Sequence, residues 1–181
     1  MSVTKVSSAM QDLTDDYAFT GTISGAGQIA QVLQVVKSDI FSTTAVDTWT
    51  DITGLTLAIT PSATSSKILA TWQVTGATAA LNYRFQFRML RGSTAIGVGD
   101  AASSRERTAF NSQTAFSNDV NTTQVNTALY LDSPSTTSAT TYKVQVKTQG
   151  STMYINRLGE DTDATQVGRG VSSITLMEVL A

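Results

Sequence analysis

"LDSPSTTSATTYKVQVK", residues 131–147, sets two patterns side by side. Between Ser133 and Thr141 seven of nine residues are Ser or Thr, and the run that follows alternates apolar with polar or charged residues through Lys147. Such alternation marks a strand with one buried face, because successive side chains point to opposite sides of a sheet. The hydroxyl-rich part admits three readings: a disordered linker, a nucleophile-bearing loop, or a connection between strands. A second segment, "ITPSATSSKILATW" at residues 59–72, chooses among them. Here too a Pro-Ser pair heads a Ser/Thr-rich run, and Lys and an apolar strand follow. A linker has no reason to be bracketed twice by strand sequence, so both are wide loops inside one β-fold. "SPSTTSATT" is then expected to join two long antiparallel strands, its hydroxyls serving turn geometry and solubility rather than nucleophilic chemistry.

Composition agrees. The chain has 181 residues, which suits one domain or one domain with an arm. Ser and Thr make up about a quarter of it, and Thr favours strands while Ser favours turns. There is no Cys and no His. This removes disulfides and thiolate metal sites, along with the commonest general base, metal ligand and physiological pH switch. A net charge of −2 and a pI near 4.9 leave no basic footprint for nucleic acid. The opening "MSVTKVSSAMQDLTDD" has no apolar stretch of secretory type, and no run reaches membrane-spanning length, so synthesis and folding in a cytoplasm and no membrane insertion are expected.

Residues 1–27 differ from the rest. Tyr17 and Phe19 alternate with small residues ahead of a Gly-Ala-Gly break at Gly25 to Gly27, a pattern that fits either an extended anchoring arm or a simple first strand. From residue 28 to 181 strand follows strand. "KILATWQVT" carries apolar residues on both parities, as a central strand does. In "YRFQFRMLRG" the residues Tyr83, Phe85, Phe87 and Met89 point one way and Arg84, Gln86 and Arg88 the other. Asp51 to Gly54 reads as a turn or bulge, Gly92 as a hairpin turn, and Gln149-Gly150 as a turn into "STMYINRLG". The stretch from Ala101 to Asn121 is a long loop with room for one short strand. The closing "VSSITLMEVL" is apolar to its end, as expected of a strand in the middle of a sheet. About ten strands and no convincing helix predict an all-β, two-sheet antiparallel sandwich with jelly-roll connections, with a plain immunoglobulin-like sandwich as the alternative.

Chemistry has few places to reside. Asp12, Asp15 and Asp16, and separately Glu160, Asp161 and Asp163, offer oxygens that suit calcium, but neither group has EF-hand spacing and both read as solvated charges. No Ser lies in a G-x-S-x-G elbow, and "GVGD" lacks the lysine and helix of a phosphate loop. The reading is non-enzymatic, with no cofactor and no bound metal. Arg84 and Arg88 form a solvated face, pair with a neighbouring copy, or grip an acidic glycan. The Tyr83 and Phe85 row fills the core or an oligomer interface. Trp72 is expected in the core. Trp49, at a strand end, together with Arg105, Arg107, Phe110 and Phe116 of the long loop, forms the candidate surface for glycan contact.

The order of "QDLTDDYAFTGTISGAG", "WTDITGLTLAITPSATSSKILA", "RMLRGSTAIGVGD", "LDSPSTTSATTYKVQVK" and "GVSSITLMEVL" resembles virion structural and fibre proteins of tailed bacteriophages, over almost the whole chain. The resemblance implies a protein on the virion surface, often a homotrimer, with a jelly-roll head of tumour-necrosis-factor type. In such heads the C-terminal strand is central and flat inner sheets meet around a threefold axis. Asp15, Asp16, Tyr17 and Phe19 would attach the chain to other virion proteins of capsid or tail. Both a head-decoration protein and a receptor- or carbohydrate-binding tail-fibre tip contacting a host glycan fit so short a chain.

Overall fold

The computed structural model describes residues 27–113 and 122–181, so Asp12, Asp15, Asp16, Tyr17, Phe19 and Phe116 lie outside the described residues. The described chain holds eleven strands and no helix: β1 (Ile29–Lys37), β2 (Phe41–Thr43), β3 (Thr50–Ile59), β4 (Lys67–Thr78), β5 (Arg84–Arg91), β6 (Thr94–Ile96), β7 (Phe110–Gln113), β8 (Gln124–Asp132), β9 (Thr140–Thr148), β10 (Met153–Ile155) and β11 (Ser172–Val179).

They form two antiparallel sheets. In sheet A the long β4 is paired along one edge by β8 and along the other first by β11 and then by β10, with β1 outside β11 and β2 outside β10. In sheet B the order is β3, β9, β5, and the far edge of β5 is shared between β6 and β7. Read as full-width strands, sheet A runs β1-β11-β4-β8 and sheet B runs β3-β9-β5 with β6 and β7. Chain neighbours are thereby dealt to opposite sheets, which is the jelly-roll arrangement. β4 and the C-terminal β11 are both central, as their apolar content requires.

One face of each strand builds the core. Phe85, Phe87 and Met89 of β5, Tyr142, Val144 and Val146 of β9, Ile68 and Trp72 of β4, and Ile174 and Leu176 of β11 are all buried between the sheets. Phe85, a candidate oligomer contact by sequence, is 0% exposed and meets Phe87 edge-on at 5.6 Å, so its ring has no surface to offer another chain. Tyr83 does not continue the row. It precedes β5, is partly exposed and lies against Gly150. Phe110 pairs opposite Phe87 and packs on the core instead of projecting outward.

Both Ser/Thr-rich loops differ from the expected connection in the same way. Residues 60–66 carry the chain from sheet B to sheet A, and residues 133–139 carry it back. The strands they join do not pair, because each loop spans the ~10 Å between packed sheets. Gln149-Gly150 likewise leads from β9 to β10 in the other sheet. By contrast, Arg91 to Thr94 closes a true hairpin, with Gly92 at φ +58°. The predicted bulge is the register shift between Asp51 and Thr56 in β3, where Gly54 takes φ +90° beside the buried Lys37 side chain; a Cβ there would be strained.

Candidate functional site

The two outer faces of the sandwich are chemically opposite. On sheet A the outward rows run across the strands: Val32, Met177, Leu69 and Leu131 in one, Gln34, Thr175, Thr71 and Leu129 in the next, then Val36, Ser173, Gln73 and Thr127. Leu129 is 73% exposed, and Val32, Val36, Val125 and Leu131 are each more than half exposed. In the middle row Gln34 Nε2 donates to Thr175 Oγ1 at 2.8 Å. The one charged side chain in these strands' outward rows is Lys67, at one end, bonded to Ser133 Oγ. At the other end residues 156–171 fold over the sheet: Thr75 Oγ1 donates to Val171 O, and Arg157 stacks on Tyr154 at 3.9 Å. The open part measures on the order of 400 Å² in plan from strand spacing and rise, and apolar and uncharged polar side chains share it about equally.

Sequence pattern alone missed this face, and β8 shows why. Its apolar residues Val125, Leu129 and Leu131 point outward, while Asn126 and Asp132 are buried. The inversion is held by hydrogen bonds to Asp132 and to the Asn126 amide nitrogen, while Asn126 Oδ1 is buried and meets no donor among the described residues. Asp132 receives both Arg91 Nη1 (2.8 and 2.9 Å) and the Tyr142 hydroxyl (2.7 Å), and Asn126 Nδ2 donates to Val74 O. A one-residue slip would reverse every side chain and strand those polar groups. The readable signal was a strand with polar residues on one parity and large apolar ones on the other.

Sheet B is ionic outside. Asp51 of β3 receives Lys143 (2.6 Å) and Gln145 (2.7 Å) of β9, Gln145 Oε1 accepts from Arg88 Nε (2.8 Å), and the Arg88 guanidinium lies 4.1 Å over the Trp49 ring. The Trp49 indole N–H in turn donates to Glu106, whose other oxygen takes Lys147 at 2.8 Å. These two donors, Lys147 foremost, hold the Glu106 carboxyl below its ordinary value. One face of Trp49 is therefore occupied by Arg88 and not open as a sugar platform. The long loop before β7 is pinned to sheet B by Glu106 and closed on itself by Arg107, whose Nε donates to Gly99 O, while Arg105 is exposed. Beside this chain of contacts lies a polar cleft of about 260 Å³, with Arg84, Gln86, Asn111 and Gln149 on one side and Glu106 and Lys147 on the other. The structure thus brings Arg84, Arg88 and Trp49 to one face, and separates them from Tyr83, Phe85 and Phe110.

The acidic group at 160–163 is arranged for ion pairing. Asp161 is gripped by Arg157 (3.3 Å) and Arg169 (2.6 Å), which neutralise the carboxylate that calcium would need. Among the described residues no cluster of three or more metal-binding side chains occurs, and no helix is long and apolar enough to cross a membrane.

No family model and no curated protein matches the chain. Among solved structures it is similar to chains in the structure of infectious bursal disease virus Gt strain (11% identity, TM-score 0.42, 86% of this chain and 39% of that one) and of the Gx strain (11%, 0.38, 85% and 39%). A third is the T13 particle of the same virus, at 11% identity and TM-score 0.37, covering 82% of this chain and 37% of that one. The chain thus spans about two fifths of the length of the viral chains it is similar to.

Proposed function

We propose that this chain is a non-enzymatic structural protein of a tailed-bacteriophage virion, assembled as a homotrimer through the outer face of sheet A and displayed on the particle surface. The observation that carries the assembly is the open, nearly uncharged apolar face set against an ionic face on the other sheet. Val32, Val36, Val125, Leu129 and Leu131, each more than half exposed on this face, would contribute on the order of 5 kcal/mol per copy when buried. Among the described residues β1 and β8 are the edge strands of sheet A, and copies that extend past the face would also shield those edges. The virion assignment rests on the sequence resemblance and on the lack of catalytic residue types. An alternative, a receptor-binding tail-fibre tip, is favoured by the polar cleft on sheet B, which would stay exposed in such a trimer.

Leu129→Lys tests the assembly. Because Leu129 makes little contact within its own chain, the variant keeps its fold by circular dichroism, while light scattering at micromolar concentration should show the trimer mass falling to that of a monomer. A wild-type monomer, or a Leu129→Lys trimer, would sink the proposal.

A further inference from the structure

We infer that the cleft on the outer face of sheet B is a binding site for a carboxylated saccharide of uronic-acid type. Three features of the cleft carry this. Arg84 projects from β5 beside it, and among the described residues no carboxylate lies within ion-pair distance of it, whereas Lys147 opposite is committed to Glu106 at 2.8 Å. A guanidinium so placed offers a planar fork matched to a carboxylate. Around it stand the amides of Gln86, Asn111 and Gln149, each able to donate and accept, as sugar hydroxyls require. One of them is already short of a partner: Gln86 Oε1 is buried, with no surface open to the cleft, and meets no donor among the described residues, so it accepts a hydroxyl or water only after the amide turns.

The acidic side of the cleft narrows the class. Asp47 and Glu106 line it as well, so a sulfate or phosphate ester, or a polyanion, meets repulsion, while a singly charged sugar acid places its carboxylate at Arg84 and its hydroxyls toward these acceptors. The elements that hold the groups are firm. β5, β7 and β9 are neighbours in one sheet, with Asn111, Gln86 and Lys147 in one cross-strand row, and Asp47 N donates to Thr148 O at 2.8 Å. This site lies on the opposite sheet from the proposed assembly face and does not depend on it.

The test is an NMR titration of the full chain with the methyl glycosides of galacturonic and of glucuronic acid, each singly charged, their methyl esters and acetate, up to about 50 mM, a range suited to millimolar sites. At least one of the two acids should shift the side-chain amides of Gln86, Asn111 and Gln149, with its uncharged ester about tenfold weaker and acetate without effect on Asn111 and Gln149. Arg84→Gln, at an exposed position, should keep the melting temperature and lower the affinity for the acid to that for the ester; Asn111→Ala should weaken both. Absence of shifts at these amides with either acid, equal response to acid and ester, equal response to acetate, or an unchanged affinity in Arg84→Gln would each overturn the inference.

Discussion

Glu178 shows what one residue does at the junction of three segments. It sits near the end of β11, 1% exposed, and its carboxylate accepts from Ser62 N and Ser62 Oγ (2.6 Å each) and from Gln31 Nε2 (2.7 Å). Gln31 also donates to Thr60 O, so β1, β11 and the loop between β3 and β4 are tied at one anion. Burial works to raise the pKa of this carboxyl, and the donors from Ser62 and Gln31 outweigh it and hold it down to about 2. Because the folded value lies below the ordinary 4.5, the ion contributes stability above about pH 4.5 that is lost as pH falls toward about 2. Glu178→Gln should cost about 1–3 kcal/mol at pH 7, measured by urea unfolding, and the gap between variant and wild type should narrow on acidification to pH 3. A gap independent of pH would show that shape, not charge, holds the junction. Asn156 does the same work without charge: its side chain donates to Lys37 O and Asp39 O and accepts from Ser172 Oγ.

At the scale of elements, the two Ser/Thr-rich loops carry little side-chain energy. In residues 133–139 the Ser133 hydroxyl accepts from Lys67 at the surface, and Arg91 is held by the backbone carbonyl of Ser133. Replacing Ser133, Ser135 and Ser138 together by Ala should therefore shift stability by no more than about 1 kcal/mol, read by thermal melting. A larger loss would assign the loop a packing role that its exposed side chains do not show. The strands behave oppositely. β5 and β9 commit one whole parity to the core and the other to an ion-paired surface, and β8 commits its polar parity to the core because Arg91, Tyr142 and Val74 O are placed to receive it. The hydrophobic count of β8 was legible in the sequence; its direction was not, since direction depends on groups supplied by β4, β5 and β9.

For the whole molecule, folding and assembly draw on different surfaces, and two substitutions separate them. Phe85→Ala removes a ring from the middle of the core and should destabilise the single-chain fold by about 3–5 kcal/mol, measured by chemical unfolding, while light scattering of the folded fraction gives an unchanged mass. This is the reverse of the outcome expected for Leu129→Lys. If Phe85→Ala released monomers with little loss of fold stability, the core of the sandwich and the contact between copies would have been assigned to the wrong surfaces. The same division leaves the ionic face of sheet B free for a ligand whatever covers sheet A.

Several features were determined by the sequence alone: an all-β chain, the bulge at Asp51 to Gly54, the hairpin at Gly92, and central places for β4 and β11. Each follows from local periodicity, turn chemistry or apolar content. The wide Ser/Thr loops were legible as loops, but whether they turn within a sheet or cross between sheets was not, because a run of small hydroxyl residues permits both. The same holds for the two faces. The exposed apolar rows of sheet A are assembled from β1, β11, β4 and β8, and the cleft from β5, β7, β9 and three loops. No short stretch contains either surface, so only the pairing of strands distant in sequence creates them.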